Sequence, residues 1–169
     1  MDILTEDFYN RDTLAVARDL LGRHIVRRAE GRELICRITE TEAYIGRSDK
    51  ACHAYGYKRT KRSETLFSAP GTAYIYLIYG MYWMLNFVTG EKDNPQAVLI
   101  RGLETVSGPG RVGRKLALNR SFYGEELPSP RIWLEDAQEQ VQYKTTPRIG
   151  VDYAGEWAKK EWRFVLLKV

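Results

Sequence analysis

The chain has 169 residues, 44% hydrophobic and 28% charged, with a net charge of +4. That length suits one domain with its own core, and the composition excludes a disordered chain. No apolar run is long enough to span a bilayer, and the acidic residues 1–7 lack the basic-then-apolar order of a signal peptide, so a cytoplasmic protein is expected. Two cysteines, Cys36 and Cys52, make no disulfide framework. With only His24 and His53 beside them, they do not supply four zinc ligands at short spacing, and no metal is expected.

The positive charge is concentrated. Lys58, Arg59, Lys61 and Arg62 fall within five residues, and Arg111, Arg114, Lys115 and Arg120 form a second cluster. Each could be a solvated loop, but two clusters flanking an aromatic-rich stretch also fit an anionic polymer.

In chain order, Asn10 or Asp12 can cap a first helix with an apolar face of Leu14, Val16, Ala17, Leu20 and Leu21 and Gly22 as its stop. Strands are predicted over 24–28 and, after a Glu30-Gly31 turn, over 33–44. Strict alternation along the second puts Leu34, Cys36, Ile38, Glu40, Glu42 and Tyr44 on one face. An apolar face ending in two carboxylates and a phenol either emerges into solvent or becomes a pocket floor, where a desolvated carboxylate has a raised pKa.

Between residues 71 and 88 two strands are joined by Tyr79-Gly80-Met81. Tyr74, Tyr76 and Ile78 share one face of the first; Met84, Asn86 and Val88 share a face of the second, opposite Trp83, Leu85 and Phe87. Most of these rings suit a core. A Tyr and a Met at a glycine turn do not, nor does Asn86 in an apolar strand. A strand over 97–104 groups Ala97, Leu99, Arg101 and Leu103; an arginine there needs a carboxylate, in a plain salt bridge or by holding Glu42. Ser107-Gly108-Pro109-Gly110 feeds a helix over 111–118 and could seat a phosphate, although the Walker A pattern is missing. Late strands are expected over 131–135 and 163–169. Together these give an α+β fold: a single domain over 1–169, with a curved antiparallel β-sheet and a few flanking helices.

An ordered set of segments is more specific than any one motif. Glu40-Thr41-Glu42-Ala43-Tyr44, His53, Pro70-Gly71-Thr72-Ala73-Tyr74-Ile75-Tyr76, Tyr79-Gly80-Met81-Tyr82, Asn86, Val98-Leu99-Ile100-Arg101, Ser107-Gly108-Pro109 and Gly155-Glu156-Trp157-Ala158 occur in that order. The set resembles the alkyladenine (3-methyladenine or methylpurine) DNA glycosylases over most of the chain. The resemblance implies base-excision repair. An alkylated or deaminated purine, such as 3-methyladenine, 7-methylguanine, hypoxanthine or ethenoadenine, is flipped out of double-stranded DNA. Its N-glycosidic bond is hydrolysed, leaving an abasic site, with no cofactor and no lyase activity.

By the same resemblance Glu42 activates the water and Arg101 is that water's second partner. Tyr44 and Tyr76 stack on the flipped base, His53 meets its edge, and Asn86 disfavours guanine. Tyr79 fills the gap in the duplex, and Met81 packs beside it in the groove. The clusters at Lys58, Arg59, Lys61 and Arg62 and at Arg111, Arg114 and Lys115 would bind the DNA backbone. A monomer working at the nucleoid, with no membrane partner, is expected. Residues 102–107 bridge Arg101 and Gly108 by a shorter segment than is usual in the family, which would remove a peripheral DNA contact.

The chemistry of the residues agrees. A base inside a duplex is out of reach and must be extruded, and a ring can fill the vacated stack. A carboxylate can orient water and stabilise the sugar cation as the bond breaks. Two other readings fit parts of the sequence. A carbohydrate hydrolase could use Glu40 and Glu42, although these share a strand face instead of flanking a bond. A non-catalytic nucleic-acid-binding module would use the cations and aromatics but has no need of Glu42.

Overall fold

A computed structural model describes residues 1–137 and 139–167. A one-turn helix α1 (Glu6–Tyr9) precedes α2 (Thr13–Asp19). Asp12 is the α2 cap: its carboxylate accepts the Ala15 N–H at 3.1 Å, which decides between the two cap candidates. The strands are β1 (His24–Ala29), β2 (Arg32–Tyr44), β3 (Ala73–Ile78), β4 (Tyr82–Val88), β5 (Ala97–Leu103), β6 (Val106–Ser107), β7 (Ile132–Glu135), β8 (Tyr143–Thr146) and β9 (Arg163–Leu166). Helix α3 (Pro109–Lys115) lies between β6 and β7, starting at the proline instead of at Arg111. Lys168 and Val169, expected in the last strand, lie outside the described residues.

Among the described residues the nine strands form one curved antiparallel sheet in the order β3-β4-β5-β2-β1-β7. β6 extends from β5, while β9 pairs with the later half of β2 and carries β8 on its other side. The helices cover one face. Val16 and Ala17 of α2 with Leu20 just after it, and Val112 of α3 with Leu116 just after it, pack on Ile38, Ile75, Leu85, Phe87, Val98 and Ile100. Each such fully buried aliphatic side chain contributes roughly 1.5–3 kcal/mol. α3 approaches β4 so closely that a Cβ at Gly113 would sit 1.9 Å from the Trp83 carbonyl oxygen. No helix among the described residues is long and apolar enough to cross a membrane.

The alternation read along β2 fails at its middle. Cys36 and Ile38 face the helices, but so do Ala43 and Thr41, whose hydroxyl donates to the Ala17 carbonyl at 2.7 Å. The ladder with β5 shifts register between Ile38 and Thr41. This irregularity turns Glu40, Glu42 and Tyr44 to the opposite face. β5 breaks at the same level: Val98, Ile100 and Leu103 join the main core, so Leu99 and Arg101 part company with Leu103. The apolar face of β2 therefore does not run into the pocket floor. The carboxylates sit on the far side of the sheet from the helices.

That far side is covered by loops. Cys52, Ala54, Leu66 and Phe67 pack on Tyr74, Val88 and Ala97. Ala51, Val151 and Ala154 form a smaller cluster against Tyr44 and Trp157. A cavity of about 350 Å³ remains between these loops and the sheet.

Candidate active site

Strand pairing builds the cavity floor. Tyr74 pairs with Asn86, Asn86 with Leu99, Leu99 with Glu42 and Glu42 with Arg163. Directly opposed residues project to the same side, so this row crosses five strands. The cavity is lined by Tyr44, His53, Tyr76, Asn86 and Arg101, among others. Its volume falls at the lower end of ordinary ligand pockets, roughly 300–1,000 Å³.

Glu42 is completely buried. Its Oε1 accepts the Tyr44 hydroxyl at 2.9 Å, its Oε2 accepts the Ile149 N–H at 2.7 Å, and Arg101 Nη1 stands 3.6 Å from Oε1. Burial raises the carboxyl pKa above the ordinary 4.5. The Ile149 N–H, Arg101 and the Tyr44 hydroxyl oppose that rise, and Glu40 adds a smaller upward push. Glu42 does not itself line the cavity; Tyr44, Arg101 and Ile149, which hold it, do.

His53 shares a 2.6 Å hydrogen bond between Nδ1 and the Tyr74 hydroxyl and meets Tyr76 edge-on, with ring centroids 4.7 Å apart. The residue is open to solvent on one side. The protein packed around the rest of the ring, and to a lesser extent Arg62, lower its pKa to about 4, so it is neutral at pH 7. Burial likewise pushes the Tyr76 hydroxyl up to about 12. Asn86 is buried, and its Nδ2 donates to the Tyr74 carbonyl at 3.2 Å.

Tyr79 and Gly80 both have left-handed backbones, with φ 54° and 67°. A tyrosine rarely adopts that conformation, which is the kind of local strain found at ligand-contacting turns. Tyr79 is 88% exposed and Met81 54%, and Tyr79 stands at the cavity rim.

The expected backbone-binding cations are all exposed but not equally free. Arg59 forks onto Glu64 at 2.8 and 2.7 Å and lies 3.8 Å from Asp93. Arg62 lies over the Tyr76 ring at 5.0 Å, which brings a charge to the cavity mouth. Lys58 and Lys61 directly precede these two on the same exposed loop. Arg111, Arg114 and Lys115 stand on the exposed side of α3, with Arg114 over Tyr82 at 5.1 Å. Among the described residues no group of three His, Cys, Asp or Glu side chains is placed to hold a metal ion.

Sequence reasoning missed the residues that frame the site from a distance. Arg148 and Asp49 form an ion pair with no exposed side-chain surface, at 2.6 and 3.0 Å. Arg148 also donates to the Ala43 and Trp157 carbonyls and lies 4.9 Å from the rings of both Tyr44 and Trp162. Asp49 accepts the Ile45 and Ala51 N–H groups at 3.0 Å each. The pair thus ties the loop carrying Cys52 and His53 to the segment carrying Ile149. Arg163 and Tyr153 were also missed; the first binds Glu40 and the second lines the cavity mouth.

A completely buried carboxylate thus lies behind the wall of an aromatic cavity, with a left-handed tyrosine turn at its rim. Comparison with known proteins gives the family. The family model described as methylpurine-DNA glycosylase (MPG) matches residues 7–108 and 103–168. A protein of Desulfitobacterium hafniense (strain Y51) is 40% identical over 194 aligned positions, covering 98% of this chain and 96% of its own. One of Methanocella arvoryzae is 43% identical over 185 positions, covering 97% and 92%. Both are provisionally named 3-methyladenine DNA glycosylases. The chain belongs to the methylpurine-DNA glycosylase family, a family of DNA-repair hydrolases. The two matched segments meet at 103–108, where the sequence was expected to be short.

Proposed function

We propose that the protein flips a damaged purine out of duplex DNA into the cavity and hydrolyses its N-glycosidic bond with a water activated by Glu42. One observation carries this reading: a completely buried carboxylate with a raised pKa is held behind the wall of a cavity whose sides are Tyr44, Tyr76 and His53. Water attacks the sugar carbon, its proton passes to Glu42, and the base leaves with the electron pair of the broken bond. The Glu42 charge stabilises the sugar cation formed on the way, and Arg101 is placed to hold the water. Tyr44 and Tyr76 offer faces to an electron-poor ring, while neutral His53 meets its edge. Asn86 on the floor faces the exocyclic amine that separates guanine from hypoxanthine. In this reading water, not an amine, is the nucleophile; among the described residues no lysine lines the cavity. The exposed cations take the DNA backbone, and one chain carries the whole site, so a monomer suffices. The relatives' names point to 3-methyladenine as the first lesion to try.

Labelled duplexes, methylated or carrying hypoxanthine or ethenoadenine, test the reading directly. Base release that yields strand breaks only after alkali supports it. Breakage before alkali, or no release from any lesion, overturns it. Because Glu42 works only when ionised and its pKa is raised, excision should fall as pH drops through a midpoint above 4.5. A single-turnover profile flat down to pH 4.5 would contradict the role given to Glu42. Tyr79→Ala should impair excision most where the lesion pairs well, because extrusion there costs a few kcal/mol, and least where it is mismatched. Equal losses on both duplexes would make Tyr79 a mere packing residue.

A further inference from the structure

Arg101 stands between two carboxylates. Its Nε is 3.2 Å from Glu40 Oε1, while its Nη1 is 3.6 Å from Glu42 Oε1, beyond hydrogen-bond length. Glu40 is therefore its nearer partner. Glu40 Oε1 also takes Arg163 Nε at 2.5 Å, and Arg163 Nη1 donates to Thr146 Oγ1 at 2.9 Å. Two acids and two arginines are thus chained across β5, β2 and β9, with only 10–19% of the Glu40, Arg101 and Arg163 side chains exposed. At that burial charges act on one another with little screening. Neither Glu40 nor Arg163 lines the cavity.

We propose that Glu40 and Arg163 are positioning residues: they anchor Arg101 through its Nε, and Arg163 neutralises Glu40 so that the Arg101 charge serves Glu42. This rests on Glu42 being the base. The anchored Nε leaves the Nη groups for Glu42 and the cavity. Without Arg163, Glu40 would draw Arg101 to itself and leave an unbalanced negative charge beside the base. The other ionisable or charged groups near Glu42 are Tyr44 on its own strand, Tyr76 on β3 and Arg148 against Tyr44. His53 stands across the cavity. None of these is altered in the variants below, so their titrations are common to all.

The test is the pH profile of single-turnover excision for the wild type, Glu40→Gln, Arg163→Gln and Arg163→Lys, on a lesion duplex the wild type cleaves. Gel shifts and thermal unfolding of the same proteins monitor binding and folding. Glu40→Gln removes a like charge, so its acid midpoint should move down, by on the order of half a pH unit or more, while the plateau rate falls. Arg163→Gln exposes Glu42 to an unneutralised Glu40, so its midpoint should move up. Arg163→Lys keeps the charge and should return the midpoint towards wild type. Folded variants whose plateaus fall with unmoved midpoints, or whose midpoints move in the same direction, would overturn the inference. Should Arg163→Gln not fold, the direction of the Glu40→Gln shift decides alone. A wild type inactive on every lesion, or an active Glu42→Gln, would instead sink the reading of Glu42 and the inference with it.

Discussion

Arg148→Met is expected to lower stability by about 3–5 kcal/mol, a large share of the roughly 5–15 kcal/mol that holds a typical domain together. The substitution keeps most of the side-chain length but leaves Asp49 as an uncompensated charge with no exposed surface. It also strips hydrogen bonds from the Ala43 and Trp157 carbonyls. The loss should appear as a drop of roughly 6–20 °C in Tm, at about 2–4 °C per kcal/mol for a chain of this size. Adding Asp49→Asn should recover a substantial part, because the stranded charge disappears while one acceptor for the Ile45 and Ala51 N–H groups remains. A single variant within 1 kcal/mol of wild type, or a double variant no better than the single one, would show that the pair is not coupled. Since Ile149 follows Arg148 and holds Glu42, excision should weaken with stability.

Much of the fold was legible because several strands alternate without interruption. In β3 and β4 the residues read as sharing a face do so: Tyr74, Tyr76, Met84 and Asn86 fall on the cavity side, and Ile75, Leu85 and Phe87 on the core side. The Glu30-Gly31 turn was readable from residue type, and both residues have positive φ. Glu42 and Arg101 could be singled out by residue type, but the side of the sheet they occupy could not. The register shift near Glu40 lies in Thr39-Glu40-Thr41, where no glycine or proline marks a bulge. Strict period-2 counting therefore carried the wrong face through it. β8 was missed because Tyr143-Lys144-Thr145-Thr146 is a short edge strand with little apolar signal. Asp49 and Arg148 are 99 residues apart, and no local period links them. Ile149 contributes a backbone N–H, which any residue but proline would carry, so its identity announces nothing.

The other large effect is expected at Glu42. Glutamine there keeps the size of the side chain and an oxygen for the Ile149 N–H, and the Tyr44 hydroxyl can turn to accept from the new amide. What disappears is the charge and the basicity. Loss of a general base alone slows reactions by about 10²–10⁴-fold, or roughly 3–5 kcal/mol of barrier, and lost stabilisation of the sugar cation adds to this. Glu40→Gln, on the same face two residues away, should lose less, since Glu40 bonds Arg101 and does not line the cavity. The deciding measurement is single-turnover excision from a lesion duplex beside a gel-shift titration, for wild type and both variants. Glu42→Gln should bind the duplex within a few-fold of wild type while excision collapses by at least about 10²-fold. Near-wild-type excision by Glu42→Gln, or a greater defect in Glu40→Gln, would contradict the assignment of Glu42 as the base.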